Sequence, residues 1–211
     1  MTAPVVIVTR RLPEAVEHEL ATRFGATLNA SDVPLGSDGL IAALRSADAV
    51  VCTVTDRLDA AVLGAGGFRA RALVNVGVGF NHIDLAAAQA AGLLVTNTPD
   101  VLTDATADCA MTLLLAVMRR AGEGERELRA GRWTGWRPTH LMGTQVTGKT
   151  IGLVGFGRIG RAMAERCHGG FRMPVLWFDP AIPAGAEPAG PWTRVATLDE
   201  LLARADVVSL H

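Results

Sequence analysis

The stretch Lys149-Thr-Ile-Gly-Leu-Val-Gly155-Phe-Gly157-Arg-Ile-Gly160-Arg decides the fold of this chain. It predicts a short apolar strand, a glycine turn with the G-x-G-x-x-G spacing of a dinucleotide site, and the start of a helix. Gly155 would allow a tight turn, Gly157 a close approach of the backbone to a pyrophosphate, and Gly160 close packing of helix on strand. The helix would direct free N–H groups and the positive end of its dipole at the phosphates.

The sequence on both sides of this turn favours a nicotinamide dinucleotide site over a plain β-turn before a surface helix. Residues 150–154 form an apolar run, and the helix that follows the turn has a shared apolar face made of Ile159, Met163 and Cys167. A second apolar run, 174–178, ends in Asp179, which lies 19 residues beyond Gly160 (179 − 160). That separation is close to the spacing of about 20 residues expected for an acid that binds the ribose.

The composition indicates a globular α/β chain with room for one large or two small domains. Of its 211 residues, 49% are hydrophobic, so a substantial core is available, and the formal net charge of −1 gives no basic field for nucleic acid. The longest apolar run, 110–118, is interrupted by Thr112 and is too short to span a bilayer. The N-terminus has no basic segment followed by a long apolar one, so no signal peptide is predicted.

The cysteines are far apart in the sequence, at Cys52, Cys109 and Cys167, and no CxxC pair or other metal-ligand set stands out. Their apolar surroundings predict buried free thiols. Such thiols favour a reducing cytoplasm over a secreted disulfide scaffold, so we expect a cytoplasmic protein without a bound metal.

Strands alternate with helices along the first hundred residues, which predicts parallel pairing in a doubly wound sheet. Strands are expected at 5–8, 49–53, 72–76 and 93–96, and helices at 13–24, 38–46, 58–63 and 85–91. Ser37 is the expected cap of the second helix. This unit should close near Pro99, and a longer helix from Asp104 to Arg120 follows, with an apolar face broad enough to pack on two neighbours.

The remainder predicts one half of a dinucleotide fold. Residues 122–148 are predicted to form a polar, irregular connection that carries Trp133 and Trp136. After the strand at 150–154 and its helix come a strand at 174–178, a loop at 180–191, a helix at 198–202 and a strand at 207–211. This βαβαβ pattern is half of a fold that is normally built from two halves. We therefore expect the second side of strand 150–154 to be unpaired, as an exposed apolar edge.

With these elements placed, the chain resembles the D-isomer-specific 2-hydroxyacid dehydrogenases, especially their glyoxylate/hydroxypyruvate reductase branch. The resemblance rests on four stretches: Val76-Gly-Val-Gly-Phe-Asn-His-Ile-Asp84, Asn97-Thr-Pro-Asp-Val-Leu-Thr-Asp-Ala-Thr-Ala-Asp108, Gly131-Arg-Trp-Thr-Gly-Trp136, and 148–160. It implies a flavodoxin-like substrate domain at 1–99, then a linking helix and the first half of a Rossmann cofactor domain at 100–211, with the active site in the cleft between the two domains. It also implies reduction of a small 2-keto acid to its D-2-hydroxy acid with NAD(P)H.

The resemblance assigns binding of the substrate carboxylate to the backbone around Val78 and Gly79. A glycine-flanked turn at the end of a strand can present N–H groups to an anion, although an ordinary βα turn is the alternative. Asn81 could hold this turn, and His82 is expected to be a surface residue rather than a catalyst.

For the cofactor, the resemblance implies a set of contacts by Thr106, Gly155, Gly157, Arg158, Ile159, Gly160, Asp179 and His211. Thr106 would lie near the nicotinamide, Arg158 would reach the pyrophosphate, and the backbone of His211 would face the cofactor. Asp179 would bind the ribose 2′-OH and repel a 2′-phosphate, and Pro180 rather than an arginine follows it, which predicts NAD over NADP. The ordinary alternatives are polarity at a helix start for Thr106, a solvated helix residue for Arg158, and a strand-end turn residue for Asp179.

The family's catalytic Arg, Glu and His lie further along the chain than His211, so no catalytic residue is predicted within these 211 residues. Three interpretations follow: a truncated NAD-dependent dehydrogenase that is inactive by itself, a non-catalytic NAD-binding regulatory module, or an inactive remnant. Because family members commonly pair through the long helix, a homodimer built on Asp104 to Arg120 is expected. A helix buried between two domains of one chain is the alternative.

Overall fold

The computed structural model describes residues 3–211 and contains two compact units, Met1–Asp100 and Val101–His211. In chain order, the first unit consists of β1 Val6–Val8, α1 Glu14–Phe24, α2 Gly36–Ser46, β2 Ala49–Thr53, α3 Ala60–Gly64, β3 Ala72–Val76, α4 Leu85–Ala90 and β4 Leu94–Thr96. The second consists of α5 Thr103–Met118, α6 Ala121–Arg129, β5 Ile151–Val154, α7 Arg158–Phe171, β6 Val175–Phe178, β7 Trp192–Arg194, α8 Leu198–Arg204 and β8 Val207–Leu210. The strands pair in parallel in both units, which confirms the α/β class.

The sheet of the first unit has the flavodoxin strand order. Its named strands run β1-β2-β3-β4, and a parallel bridge from Ile7 to Thr27 adds a further segment on the free side of β1. The N–H of Val8 donates to the carbonyl of Thr27 at 2.9 Å, and the N–H of Thr27 donates to the carbonyl of Val6 at the same distance. Counted along the chain, the order becomes 2-1-3-4-5, in which the order reverses beside the first strand. A one-residue strand has no alternation pattern, so the sequence did not predict it.

The sheet of the second unit corrects one prediction about strand 150–154. Its order is β7-β6-β5-β8, so β5 is paired on both sides, with β6 and with β8. The expected unpaired apolar edge of β5 is therefore wrong, because the fourth strand of the unit returns to lie beside the first. The three-residue strand β7 was also not predicted, since it follows directly on a proline-rich loop. Counted along the chain, the order is 3-2-1-4, as at the start of a dinucleotide fold.

The core of the second unit is built around a pair of aromatic rings. Phe156 and Trp177 are each 1% exposed, and their rings are stacked with 4.5 Å between centroids. Met163 and Cys167, two of the residues predicted to share the inner face of α7, are fully buried in the same cluster, and Ile159 is half-buried. The periodicity of α7 thus predicted the side that faces the sheet.

The long helix α5 has two apolar sides. Met111, Leu114 and Met118 are buried in the core with α7, whereas Leu113 is 60% exposed and Val117 is 75% exposed. Within residues 3–211, no helix has both the length and the hydrophobicity that crossing a bilayer requires.

Two helices differ from their predictions. Ser37 does not cap α2, because the helix already begins at Gly36 and its N-cap position is Leu35, without a side-chain cap. Helix α6 occupies part of the stretch expected to be irregular. Gly122 and Gly124 lower the intrinsic helix propensity of α6. Arg–Glu pairs three or four residues apart support the helix, namely Arg120 with Glu123 and Arg129 with Glu125.

The cysteines are free and two of them are buried. Burial raises the pKa of the Cys52 thiol to about 12, with Asp56 adding to the effect, and raises that of Cys167 to about 11. Cys109 is exposed, so its predicted burial is wrong. It lies on α5 two residues from both Ala107 and Met111, and a two-residue step along a helix leads away from the buried face.

Candidate cofactor and substrate sites

The turn between β5 and α7 requires glycine at two positions. Gly155 has φ of +91°, a conformation that L side chains rarely adopt, and a Cβ there would lie 2.3 Å from the carbonyl oxygen of His211. A Cβ on Gly160 would lie 2.3 Å from the carbonyl oxygen of Gly155. Both distances are shorter than real Cβ contacts, so the close approach of α7 and of the end of β8 to this turn depends on the missing side chains.

Gly157 is in the opposite situation, because a Cβ placed on it would meet nothing within 4 Å. It is the N-cap residue of α7, and no side chain caps the helix there. The N–H of Arg161 donates to the carbonyl of Gly157 at 3.1 Å, so the N–H groups that precede it have no acceptor inside the helix. Open space beside such a helix start fits a pyrophosphate.

Asp179 follows β6 and its carboxylate reaches back to the glycine turn. Its Oδ2 accepts a hydrogen bond from the N–H of Phe156 at 2.8 Å, and its Oδ1 accepts one from the N–H of Ala181 at 2.9 Å. An ionised carboxylate has about four acceptor positions, so these two bonds leave room for the hydroxyls of a ribose. The contact from Phe156 was not predicted, because a backbone donor gives no signal in the sequence.

The end of β8 completes this cluster. The N–H of His211 donates to the carbonyl of Val154 at 2.9 Å, which places the carbonyl of His211 against Gly155. β5 and β8 are the neighbouring strands at which the strand order reverses, and ligands of open α/β sheets bind at the carboxyl ends of such strands. Gly155, Gly160, Asp179 and His211 are therefore brought together.

The other predicted cofactor residues lie in first turns of helices. Arg158 and Ile159 begin α7, next to the glycine turn. Thr106 is exposed in the first turn of α5, where its N–H donates to the carbonyl of Leu102 at 2.9 Å. Within residues 3–211, no hydrogen bond joins the Thr106 side chain to the glycine turn.

The predicted carboxylate site is the turn 77–80, which follows β3 in the first unit. Each of its carbonyl oxygens accepts a hydrogen bond: Gly77 from the N–H of Thr98 at 3.0 Å, Val78 from Nδ2 of Asn97 at 2.9 Å, Gly79 from Nδ2 of Asn75 at 2.9 Å, and Phe80 from the N–H of Ile83 at 2.9 Å. The N–H groups of Val78, Gly79 and Phe80 donate to no acceptor in the part of the chain that the structure describes. A turn whose acceptors are used and whose donors are available can bind an anion.

Two expectations about this turn are wrong. Asn81 is exposed, and its side chain forms no hydrogen bond among residues 3–211; Asn75 and Asn97 hold the turn instead. His82 is half-buried rather than on the surface, with its Nε2 3.2 Å from Oδ1 of Asn75. Burial lowers the pKa of the His82 imidazole, against the opposing effect of the Asp56 charge. The available signal was an asparagine within an otherwise apolar strand, since a buried amide needs hydrogen-bond partners.

Comparison with known proteins agrees with this geometry. The sequence profile of the D-isomer specific 2-hydroxyacid dehydrogenase NAD binding domain matches residues 111–211. A glyoxylate reductase of Thermofilum pendens is 39% identical over 213 residues, which cover 100% of this chain and 62% of that protein. A glycerate dehydrogenase of Hyphomicrobium methylovorum is 34% identical over 100% of this chain and 66% of its own length.

A solved structure supports the same relationship. A Polaromonas protein described as a D-isomer specific 2-hydroxyacid dehydrogenase matches with a TM-score of 0.86 and 35% identity, over 99% of this chain and 65% of that one. Fold and glycine turn together define an α/β protein with an NAD-binding domain. The chain belongs to the D-isomer-specific 2-hydroxyacid dehydrogenase family. It spans 62% and 66% of the lengths of the two relatives named above.

Proposed function

We propose that the protein is an NAD(H)-dependent oxidoreductase that interconverts a small 2-keto acid, of the glyoxylate or hydroxypyruvate type, and its D-2-hydroxy acid. The observation that carries this proposal is the convergence of Gly155, Gly160, Asp179 and His211 at the end of one pair of strands. The printed names of the relatives, glyoxylate reductase and glycerate dehydrogenase, support the class of substrate.

In this proposal the second unit binds the dinucleotide. The pyrophosphate lies beside Gly157 at the start of α7, where Arg158 and Ile159 also contact the cofactor. Thr106 and the backbone of His211 are assigned to the nicotinamide side, by resemblance to the family. When bound, NAD(H) supplies or accepts the hydride.

The cofactor is proposed to be NAD rather than NADP. The Asp179 carboxylate is held in place by two backbone N–H groups, and it would accept hydrogen bonds from a ribose 2′-OH. A 2′-phosphate would meet this negative charge without a compensating arginine, since Pro180 follows directly. Titration of the protein with both cofactors tests the proposal, and tighter binding of NADP would contradict it.

The turn 77–80 is proposed to bind the substrate carboxylate through the N–H groups of Val78 and Gly79. Because both are backbone groups, they would recognise the carboxylate that all 2-keto acids share and would not select among their side chains. Discrimination between glyoxylate and hydroxypyruvate must therefore depend on other contacts.

The acid–base chemistry is proposed to require residues other than those in this chain. His82, a histidine near the carboxylate turn, bonds to an amide oxygen rather than to an orienting carboxylate. General acid–base catalysis contributes about 10²–10⁴-fold to rate, so residues 1–211 alone should not reduce glyoxylate or hydroxypyruvate at an enzymatic rate. The assay is NADH oxidation with each keto acid, and robust turnover by the 211 residues would refute this part of the proposal.

The same assay on a longer polypeptide separates the alternatives. A version that continues past His211 with the family's Arg, Glu and His should restore turnover if the protein is a dehydrogenase. If that longer version binds NAD without turnover, a non-catalytic regulatory module is favoured. Failure to bind NAD would favour an inactive remnant.

We also propose a homodimer that uses the helix from Asp104 to Arg120. Its second apolar side, with the exposed Leu113 and Val117, lines a groove of about 330 Å³ together with β8. Light scattering at micromolar concentration tests this. A Leu113→Glu variant that remains dimeric, or a monomeric parent protein, would contradict it.

A cytoplasmic location is the remaining proposal. It is supported by the three free cysteines, two of which are buried reduced thiols inside the two cores. Thiol titration of the protein isolated from its native cells under acidic quench should find all three reduced.

A further inference from the structure

A buried asparagine in β3 lies directly under the proposed carboxylate turn. The side chain of Asn75 has no exposed surface, although its neighbours in the strand are apolar. Its Nδ2 donates to the carbonyl of Gly79 at 2.9 Å and to that of Gly77 at 3.3 Å. Its Oδ1 lies 3.2 Å from Nε2 of His82. The amide therefore uses both of its donor hydrogens on two carbonyls of one turn.

The geometry of the peptide bond connects these contacts to the ligand. In a trans peptide, the C=O of one residue and the N–H of the next point in opposite directions. All peptide bonds described in this structure are trans. Because the carbonyls of Gly77 and Gly79 point towards the Asn75 amide, the N–H groups of Val78 and Phe80 must point away from Asn75. The carbonyl of Val78 likewise points towards Nδ2 of Asn97, so the N–H of Gly79 must point away from Asn97.

We propose that Asn75 is a positioning residue for substrate binding, and that Phe80 supplies a third backbone N–H to the carboxylate beside Val78 and Gly79. This inference rests on the proposed function of the turn as the carboxylate site. It deepens that proposal, because it names the side chain that orients the donors.

The carbonyls of Gly77 and Gly79 fix which way the Asn75 amide faces, and the amide in turn fixes the role of His82. If the amide were rotated by 180°, its oxygen would face two carbonyl oxygens and its NH₂ group would face His82. The observed pairing requires Nε2 of His82 to carry a hydrogen and to donate to Oδ1. His82 thereby acts on the turn through Asn75.

The test is an NMR titration of ¹⁵N-labelled residues 1–211 with glycolate, which needs no turnover. Glycolamide, which lacks the carboxylate charge, is the comparison ligand. In the parent protein, the backbone amide signals of Val78, Gly79 and Phe80 should shift saturably with glycolate and not with glycolamide. If they do not, the proposed carboxylate site is wrong and this inference fails with it.

The Asn75→Ala variant tests the inference by itself. It should raise the dissociation constant for glycolate at least about fivefold, which is about 1 kcal/mol for the loss of oriented donors. The matched control is Asn29→Ala, because Nδ2 of Asn29 also bridges two carbonyls of the same unit, those of Thr9 at 2.7 Å and Val33 at 2.8 Å. Unchanged glycolate binding in Asn75→Ala, or equal weakening in Asn29→Ala, would overturn the inference while leaving the carboxylate site standing.

Since Asn75 is fully buried, its alanine variant could fail to fold, so a second pair of variants acts at the half-buried His82. His82→Leu removes the donor to Oδ1 and should weaken glycolate binding, whereas His82→Gln restores a donor and should rescue it. If His82 only stabilised the fold, the two variants would bind glycolate equally tightly whenever their thermal stabilities were equal. Equal glycolate affinity in the two would therefore contradict the positioning role.

Discussion

Oδ2 of Asp179 accepts a hydrogen bond from the N–H of Phe156, at a distance of 2.8 Å. The acid proposed to bind the ribose is therefore held by the same turn that is proposed to bind the pyrophosphate. The Phe156 ring in turn stacks on Trp177 in the core. Core packing thus determines the position of a binding residue.

Removing the carboxylate of Asp179 should weaken NAD binding and reduce the preference for NAD over NADP. We expect Asp179→Ala to raise the dissociation constant for NAD about tenfold, since a hydrogen bond to a charged group contributes about 1.5–3 kcal/mol. NADP should lose little or nothing, because the repulsion of its 2′-phosphate is also removed. Calorimetric titration measures both. Asp206→Ala is the control, because Asp206 likewise accepts a backbone N–H, from Thr150 at 2.9 Å.

Alanine at Gly160 should destabilise the second unit, although alanine favours helices. The added Cβ would lie 2.3 Å from the carbonyl oxygen of Gly155, so α7 would have to move away from the turn. A loss of about 2 kcal/mol or more in the free energy of unfolding is expected, in the range of overpacked cores. Gly169→Ala in the same helix is the control, because its Cβ would meet nothing within 4 Å. Urea unfolding would contradict the prediction if both variants were equally stable.

Alanine at Gly157 should separate binding from stability. Because its Cβ would meet nothing within 4 Å, the free energy of unfolding should change by less than about 0.5 kcal/mol. The same Cβ would stand where the pyrophosphate is proposed to approach, so NAD affinity should fall. A variant that binds NAD as tightly as the parent would place the pyrophosphate elsewhere.

Truncation of Trp177 should cost more stability than truncation of any exposed tryptophan. Trp177 is 1% exposed and stacked on Phe156, so Trp177→Ala should destabilise by about 3–5 kcal/mol. Trp136 is 82% exposed, and Trp136→Ala should change stability by less than about 0.5 kcal/mol. Urea unfolding followed by circular dichroism avoids the loss of the fluorescent probe. Similar midpoints for the two variants would contradict the described core.

The ion pair between Arg10 and Asp32 predicts a local acid sensitivity in the first unit. The hydrogen bond from the Arg10 side chain, followed by that from the N–H of Arg11, lowers the pKa of Asp32 to about 2. Because this value lies below the ordinary one of about 3.9, the pair stabilises the folded state above that pH, and the stabilisation is lost as the pH falls towards 2.

Asp32→Asn should therefore lower stability at pH 5 and have little effect at pH 2. The difference should shrink in about 1 M salt, since the pair is exposed and screened. Urea unfolding at the two pH values measures both effects. An equal loss at pH 5 and pH 2 would show that the variant acts through packing and not through charge.

The sequence by itself determined the parts of this protein that depend on near neighbours in the chain. The alternation of apolar strands with amphipathic helices predicted the α/β class. Apolar runs also predicted the bounds of β2, 49–53, and of β3, 72–76, and the structure has the same bounds. These two strands pair residue for residue over their whole length. The sequence also predicted the glycine turn and the acid at Asp179. The glycines follow from local backbone geometry, and the acid follows from a fixed spacing along the chain.

Only the tertiary structure decided which distant segments meet. It placed β8 beside β5 and Thr27 beside β1, since hydrogen bonds between parallel strands have no counterpart in local sequence. It also gave Asn75 its role beneath the turn, because a buried amide reveals its partners only when the carbonyls of Gly77 and Gly79 are brought above it. Local periodicity sets which elements form, whereas the burial of polar groups and the pairing of strands are properties of the assembled fold.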